Sequence, residues 1–202
     1  MKILLATNNK HKVYEIKEKI LEYGLEIDLL TLSDVANEKI EIEENGSTLE
    51  ENALIKAKEW FDLFRIPSVA DDSGLEVFSL GGLPGVHSAR FAGPNSTDAE
   101  NRKKLLSLLK GKNSEDRKAR FRTVFCFYDG TEPKFFEGVC DGMIIEEERG
   151  DNGFGYDSIF LPNGYEITFA QMKLAQKNKI SHRSIAVLKF VNFLKEQQDI
   201  IK

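Results

Sequence analysis

Lys2-Ile3-Leu4-Leu5-Ala6-Thr7-Asn8-Asn9-Lys10-His11-Lys12 opens the chain with an apolar run that halts at an Asn-Asn pair and turns basic. A short apolar run that ends on turn-favouring residues reads as a strand and its exit. Just beyond it, Val13, Ile16 and Ile20 fall three to four residues apart with charges between them, Leu21 adjoins Ile20, and Gly24 follows. That spacing predicts an amphipathic helix over 10–23 with a glycine stop. Strand, polar turn and helix together make the opening step of an α/β fold.

Outward from this step the same signals recur. Residues 25–32 read as a second strand, and an acidic stretch over 38–51 follows, with Glu38, Glu41, Glu43, Glu44, Glu50 and Glu51. Ser47 with Glu50 and Thr48 with Glu51 both have capping-box spacing, and helical periodicity over 49–64 places a helix start near Thr48. After Pro67, Ser68-Val69-Ala70 reads as a short strand carrying Asp71-Asp72-Ser73-Gly74 at its C-terminal end, before Leu75 to Phe78 resumes. Gly81-Gly82-Leu83-Pro84-Gly85 is a flexible turn cluster close to that acidic pair, which suggests a site. Thr97 with Glu100 starts a helix to about 110. Residues 121–129 and 134–145 are strand-like and joined through Asp129-Gly130 as a hairpin, so the sheet is expected to be mixed. Ile159-Phe160-Leu161 is a further apolar run, and 181–195 reads as a closing helix with Ile185, Leu188, Val191 and Leu194 on one face. No repeat or linker divides the chain, and 1–202 reads as a single domain.

Composition limits the function classes. At 202 residues, 41% hydrophobic and 30% charged, the chain has the profile of a folded globular protein. Its 28 basic against 33 acidic residues leave a net charge of -5, so general attraction to nucleic acid is not expected and an anionic ligand must be met by local basic groups. No apolar run approaches the roughly 18 residues of a spanning helix, and no export signal is present, so no membrane contact and a cytoplasmic location are expected. Cys126 and Cys140 sit in strand-like stretches and read as buried, reduced thiols.

Four clusters can carry chemistry. Thr7, Asn8, Asn9, Lys10, His11 and Lys12 place a hydroxyl, amides and ammonium groups at a helix start, where oxyanions are favoured, although an ordinary polar cap explains them as well. Asp71 and Asp72, with Glu43 and Glu44, are hard oxygen donors of the kind Mg²⁺ prefers; a capped turn and solvated glutamates are the plainer account. Successive strand residues point to opposite faces, so one of Asp71 and Asp72 is expected to face the pocket and the other to support it. Lys173, Lys177, Lys179, His182 and Arg183 form a positive patch that ends at the start of the last helix. Phe154-Gly155-Tyr156-Asp157 sets two aromatics among glycines before a carboxylate, which suits either a planar base or a tight turn with core aromatics.

Taken in order, Thr7-Asn8-Asn9-Lys10 with Lys12, Glu51-Asn52-Ala53 with Lys56-Ala57, Asp71-Asp72-Ser73-Gly74-Leu75, Gly81 to Gly85, Phe154 to Asp157 and Ser181-His182-Arg183 resemble the inosine triphosphate pyrophosphatase family over nearly the whole chain. The resemblance implies an α/β fold: a long mixed sheet flanked by helices in two lobes, with the substrate cleft between them and a homodimer as the usual assembly. It also implies Mg²⁺-dependent hydrolysis of ITP, dITP and XTP to the monophosphate and pyrophosphate. Carried over residue by residue, Thr7 to Lys12 and Lys56 hold the triphosphate, Asp72 is the catalytic carboxylate and Ser73 lines the site. Phe154, Gly155, Tyr156, Asp157, Lys177, His182 and Arg183 bind the nucleotide, chiefly its base. Asp72 with Glu43 or Glu44 binds the metal, Glu44 being slightly preferred.

Overall fold

The computed structural model describes residues 1–24, 27–36, 38 and 40–200. In chain order it contains β1 (Lys2–Leu5), α1 (Lys10–Glu22), β2 (Asp28–Thr31), α2 (Leu32–Val35), α3 (Leu49–Phe64), β3 (Ser68–Val77), α4 (Asp98–Leu108), β4 (Lys118–Tyr128), β5 (Lys134–Ile144), β6 (Phe160–Pro162), α5 (Leu174–Lys177) and α6 (His182–Ile200). The strands form one sheet in the order β2-β1-β3-β4-β5-β6. β1 is parallel to both β2 and β3, and β5 is antiparallel to β6. β4 and β5 are sheet neighbours joined by residues 129–133, a link too short for a parallel crossover, so they form the expected hairpin. The sheet is therefore mixed and flanked by helices. Leu25 and Glu26, the expected start of the second strand, lie outside the described residues.

The helix starts follow their caps. Asn9 accepts from the His11 and Lys12 amides at α1, and Thr48 accepts from the Glu51 amide at α3. Glu51 reaches back to Ser47, taking both its amide and its hydroxyl, while Thr97 and Glu100 form a full capping box at α4.

The chain divides into two compact units. Unit 1 comprises Met1–Asp72, Thr123–Gly138 and Arg183–Lys202; unit 2 comprises Ser73–Arg122 and Val139–His182. Each has its own core. In unit 1, Ile3, Leu5 and Val69 cluster with Ile16 and Ile20 of α1, with Phe125 and Phe127 of β4, and with Ala186, Val187, Phe190, Val191 and Leu194 of α6. Alternation along β3 then decides the neighbours of each acid. Val69 and Asp71 face α1 and α6, whereas Ser68, which donates to the Ala57 carbonyl, and Asp72, which accepts from Asn52, face α3. Unit 2 is built on Leu75, Val77, Leu105, Phe121, Ile144, Phe160 and Phe169, with the Phe121 and Phe160 rings edge-on at 4.7 Å. Buried Arg117 serves only backbone there, donating to the Leu109, Ile144 and Ile145 carbonyls.

Four expectations are corrected. β3 runs unbroken from Ser68 to Val77, so Asp71 and Asp72 lie inside a strand and not at its exit. Gly74 is no turn: a Cβ there would come within 2.4 Å of the Gly85 carbonyl oxygen, so the glycine admits a close backbone approach. In α6 the buried stripe is Ala186, Val187, Phe190, Val191 and Leu194, with Ile185 and Leu188 only half-buried. Successive steps of three fall short of a helical turn and drift off the face. Leu21 of α1 is likewise exposed at 70%, because the stripe ends at Ile20. Cys126 and Cys140 are free and buried, and burial pushes both thiols up to about 12. Among the described residues no helix is long and apolar enough to cross a membrane.

Candidate active site

Unit 1 gathers one group of the candidate residues around the acidic pair of β3. On the α1/α6 face, the Lys12 ammonium lies 2.8 Å from Asp71 and the Arg183 Nε 3.9 Å from the same carboxylate oxygen. Arg183 also donates through Nη1 to Glu15, and all of Glu15, Asp71 and Arg183 are buried. On the α3 face, Asn52 donates to Asp72 at 3.1 Å, and the Lys56 ammonium stands 2.9 Å from Glu44 and 3.6 Å from Asp72. Asn52 also accepts the Gly46 amide, which ties the acidic stretch to the start of α3.

The two neighbouring acids are tuned in opposite directions. Burial opposes the Asp71 carboxylate, but the charges of Lys12, Arg183 and Lys56 outweigh it and hold the group well below the usual carboxylate range. Burial dominates at Asp72; Lys56, Lys12 and the Asn52 hydrogen bond pull the other way, Glu44 adds to it, and the pKa lies above the ordinary value. Lys56 itself is penalised by burial, yet Asp72, Glu44 and Asp71 together raise it. Acids pushed apart in this manner suit separate duties, a fixed charge and a proton acceptor.

Around the turn, Thr7 accepts the Asn9 amide, Asn8 donates toward the Ile40 carbonyl at 3.5 Å, and Lys10 and His11 are exposed. Glu43 is exposed, whereas Glu44 is the glutamate brought to Lys56 and Asp72. Among the described residues, no three of His, Cys, Asp and Glu assemble as a ready metal centre. Two carboxylates around one positive charge nevertheless fit a hard divalent ion that completes its shell with water and phosphate.

Unit 2 gathers the second group. The Lys177 ammonium is 2.8 Å from Asp157, each residue only 4% exposed, and it lies 5.2 Å from the Phe154 ring centre and 5.4 Å from that of Phe169. Asp157 also accepts the Phe154 amide, and Gly153 leaves room for it, since a Cβ there would fall 2.0 Å from the carboxylate. Tyr156 is a core residue whose hydroxyl donates to the Ser88 carbonyl, while Phe154 stays half-buried. His182 stacks on Phe121 at 4.7 Å, and Ser73 is half-buried in β3. Arg183 is therefore found with Glu15 and Asp71 in unit 1, while Phe154 to Asp157, Lys177 and His182 belong to unit 2.

Replacing Lys177 with Met removes the ammonium 2.8 Å from the buried Asp157 carboxylate, and about 3–5 kcal/mol of stability is expected to go with it. The denaturant midpoint followed by circular dichroism checks this. Adding Asp157→Asn to Lys177→Met is expected to recover most of the loss; an additive loss would contradict the pairing.

Comparison with known proteins shows the family. The model of the Ham1 family matches residues 3–193. The chain belongs to the Ham1 family. A relative from Christiangramia forsetii, named dITP/XTP pyrophosphatase, is 47% identical over 96% of this chain and 99% of its own. The Ham1 protein of Staphylococcus aureus superimposes with a TM-score of 0.87 at 37% identity, over 98% of this chain and 100% of that one. The Coxiella burnetii HAM1 protein gives 0.88 at 39%, over 97% and 99%.

Glu15 and Asn52 are polar members of the unit 1 group to which sequence reasoning assigned no role, although Asn52 stands in the Glu51-Asn52-Ala53 motif. The signal for Glu15 is an acid beside Ile16 on the buried stripe of α1; for Asn52 it is an amide facing inward between Leu49 and Ala53.

Proposed function

We propose that this chain is a dITP/XTP pyrophosphatase: it hydrolyses deaminated purine nucleoside triphosphates, ITP and dITP as well as XTP, to the monophosphate and pyrophosphate. Its kinship with proteins of that name over almost their full length supports the reaction. The observation that carries the chemistry is the ammonium of Lys56 held between Glu44 and Asp72, with the pKa of Asp72 raised beside it.

In this reading unit 1 serves the phosphates. Lys12, Lys56 and the basic turn from Thr7 to Lys12 meet the oxyanions, and their charge acts where negative charge grows as the α–β bridge breaks. Asp72, in its carboxylate form, orients the attacking water and takes its proton. Asp71, kept anionic by Lys12 and Arg183, holds Lys12 in place. Glu44 and Asp72 would hold Mg²⁺, which neutralises the phosphate oxygens and the leaving pyrophosphate. Unit 2 serves the base. Lys177 beside Asp157 sets a donor next to an acceptor, the complement of a 6-keto, N1-protonated purine edge, and the half-buried Phe154 offers a ring face.

A homodimer, the assembly implied by the resemblance, and a cytoplasmic location complete the reading. The deciding experiment incubates the purified protein with dITP and Mg²⁺ and resolves the products. dIMP and pyrophosphate in equal amounts, abolished by EDTA and restored by added Mg²⁺, are expected; release of single phosphates, or dITP left intact, would overturn the reading.

A further inference from the structure

Gly155 adopts a left-handed backbone at φ 61 and has no side chain with which to hold its place, yet both its polar backbone groups are gripped by one helix. Its amide donates to Asp98 at 2.7 Å, and its carbonyl accepts from the Arg102 Nη1 at 2.8 Å. Asp98 and Arg102 are four residues apart on α4 and so share a face. The grip is anchored in turn. The Arg102 Nε donates to Glu148 at 2.9 Å, and Glu148 also accepts the Ser158 hydroxyl at 3.0 Å. Burial opposes the Glu148 carboxylate, but Arg102 and Ser158 hold its pKa below the ordinary value. The Thr97–Glu100 box fixes the end of α4 from which Asp98 projects. All of these residues belong to unit 2.

We propose that Asp98 and Arg102 are positioning residues for base discrimination: by clamping both sides of Gly155 they set the placement of the Phe154 ring and of Asp157. The inference rests on the reading of Phe154 to Asp157 as the base-binding loop. The loop's own bonds, from the Phe154 amide to Asp157 and from Lys177 to Asp157, keep its members together but do not tie them to α4; Gly155 does. Charge-assisted bonds from a helix provide a stiffer reference than neutral loop contacts. A loosened clamp leaves the water-activating carboxylate of unit 1 untouched, so the effect is expected in KM and in selectivity and not in kcat.

The test compares wild type with Asp98→Asn, Arg102→Gln, Arg102→Lys and Glu148→Gln on dITP and dATP. For Asp98→Asn and Arg102→Gln, about a tenfold rise in KM for dITP and a similar fall in the dITP-to-dATP ratio of kcat/KM are expected, with kcat on dITP within about twofold. Arg102→Lys is expected to recover part of the selectivity. Should Arg102→Gln not fold, Glu148→Gln, which leaves both bonds to Gly155 in place and frees only the far side of the guanidinium, decides by a smaller shift in the same direction. Unchanged KM and selectivity in every folded variant, or kcat falling in step with them, would overturn the clamp. A wild type that does not prefer dITP to dATP would instead overturn the proposed function.

Discussion

Asp72→Asn is expected to lower kcat by about three orders of magnitude, the scale of a lost general base, while the protein melts no lower than wild type. The second half of that expectation follows from charge. Burial raises the pKa of Asp72 above its ordinary value, so its carboxylate is less favourable in the folded chain than in the unfolded one. That penalty is present above the native pKa and disappears as pH falls through it. An amide removes the penalty at every pH and still meets Asn52. Asp71 has the opposite sign. Its pKa is lowered in the fold, so its contribution is stabilising above the ordinary carboxylate value and is lost as pH falls through the native one. Asp71→Asn strips the shared anion from Lys12 and Arg183 and is expected to cost about 3–5 kcal/mol at neutral pH. Melting curves at pH 7 and turnover on dITP, measured on both variants, separate the two acids. Equal destabilisation by the two substitutions would contradict the opposite tuning, and an Asp72→Asn kcat within a few-fold of wild type would remove the catalytic assignment.

A still larger factor is expected between substrates. Hypoxanthine and xanthine present O6 as an acceptor and N1–H as a donor, and adenine reverses both. On the proposed reading, in which the Lys177 ammonium and the Asp157 carboxylate meet the base, adenine sets donor against donor and acceptor against lone pair. Both protein groups are buried, so water cannot relieve the mismatch, and such unpaired polar groups reduce kcat/KM by about 10⁴. Steady-state rates on dITP, XTP and dATP measure this directly; rates on dATP equal to those on dITP would exclude recognition of the keto edge.

Much of this was legible in the residue order where the cause is local. Asn9, Thr48 and Thr97 mark their helix starts because a cap acts on amides two or three residues away. Glu44 and Lys56 belong to stretches whose charge and period stand out in a short window. The misreadings arose where a distant partner decides. Ser73-Gly74 has the composition of a turn, but the backbone of Gly85 lies against it, and the strand runs straight through. The partner of Arg183 is hidden rather than misread, since Glu15 is 168 residues away in the chain. The grip of Arg102 on Gly155 spans 53 residues and leaves no periodic trace at either end.

The alternation along β3 has one more consequence. Because Asp71 and Asp72 serve helices on opposite sides of the sheet, removing a single residue between Pro67 and Asp71 would bring Asp72 to the place beside Lys12 and Arg183, and adding one would bring Asp71 to the place beside Lys56. This short segment is thus constrained in its count as strictly as in its spelling, and natural variation in the region should take the form of replacement and never of insertion or loss.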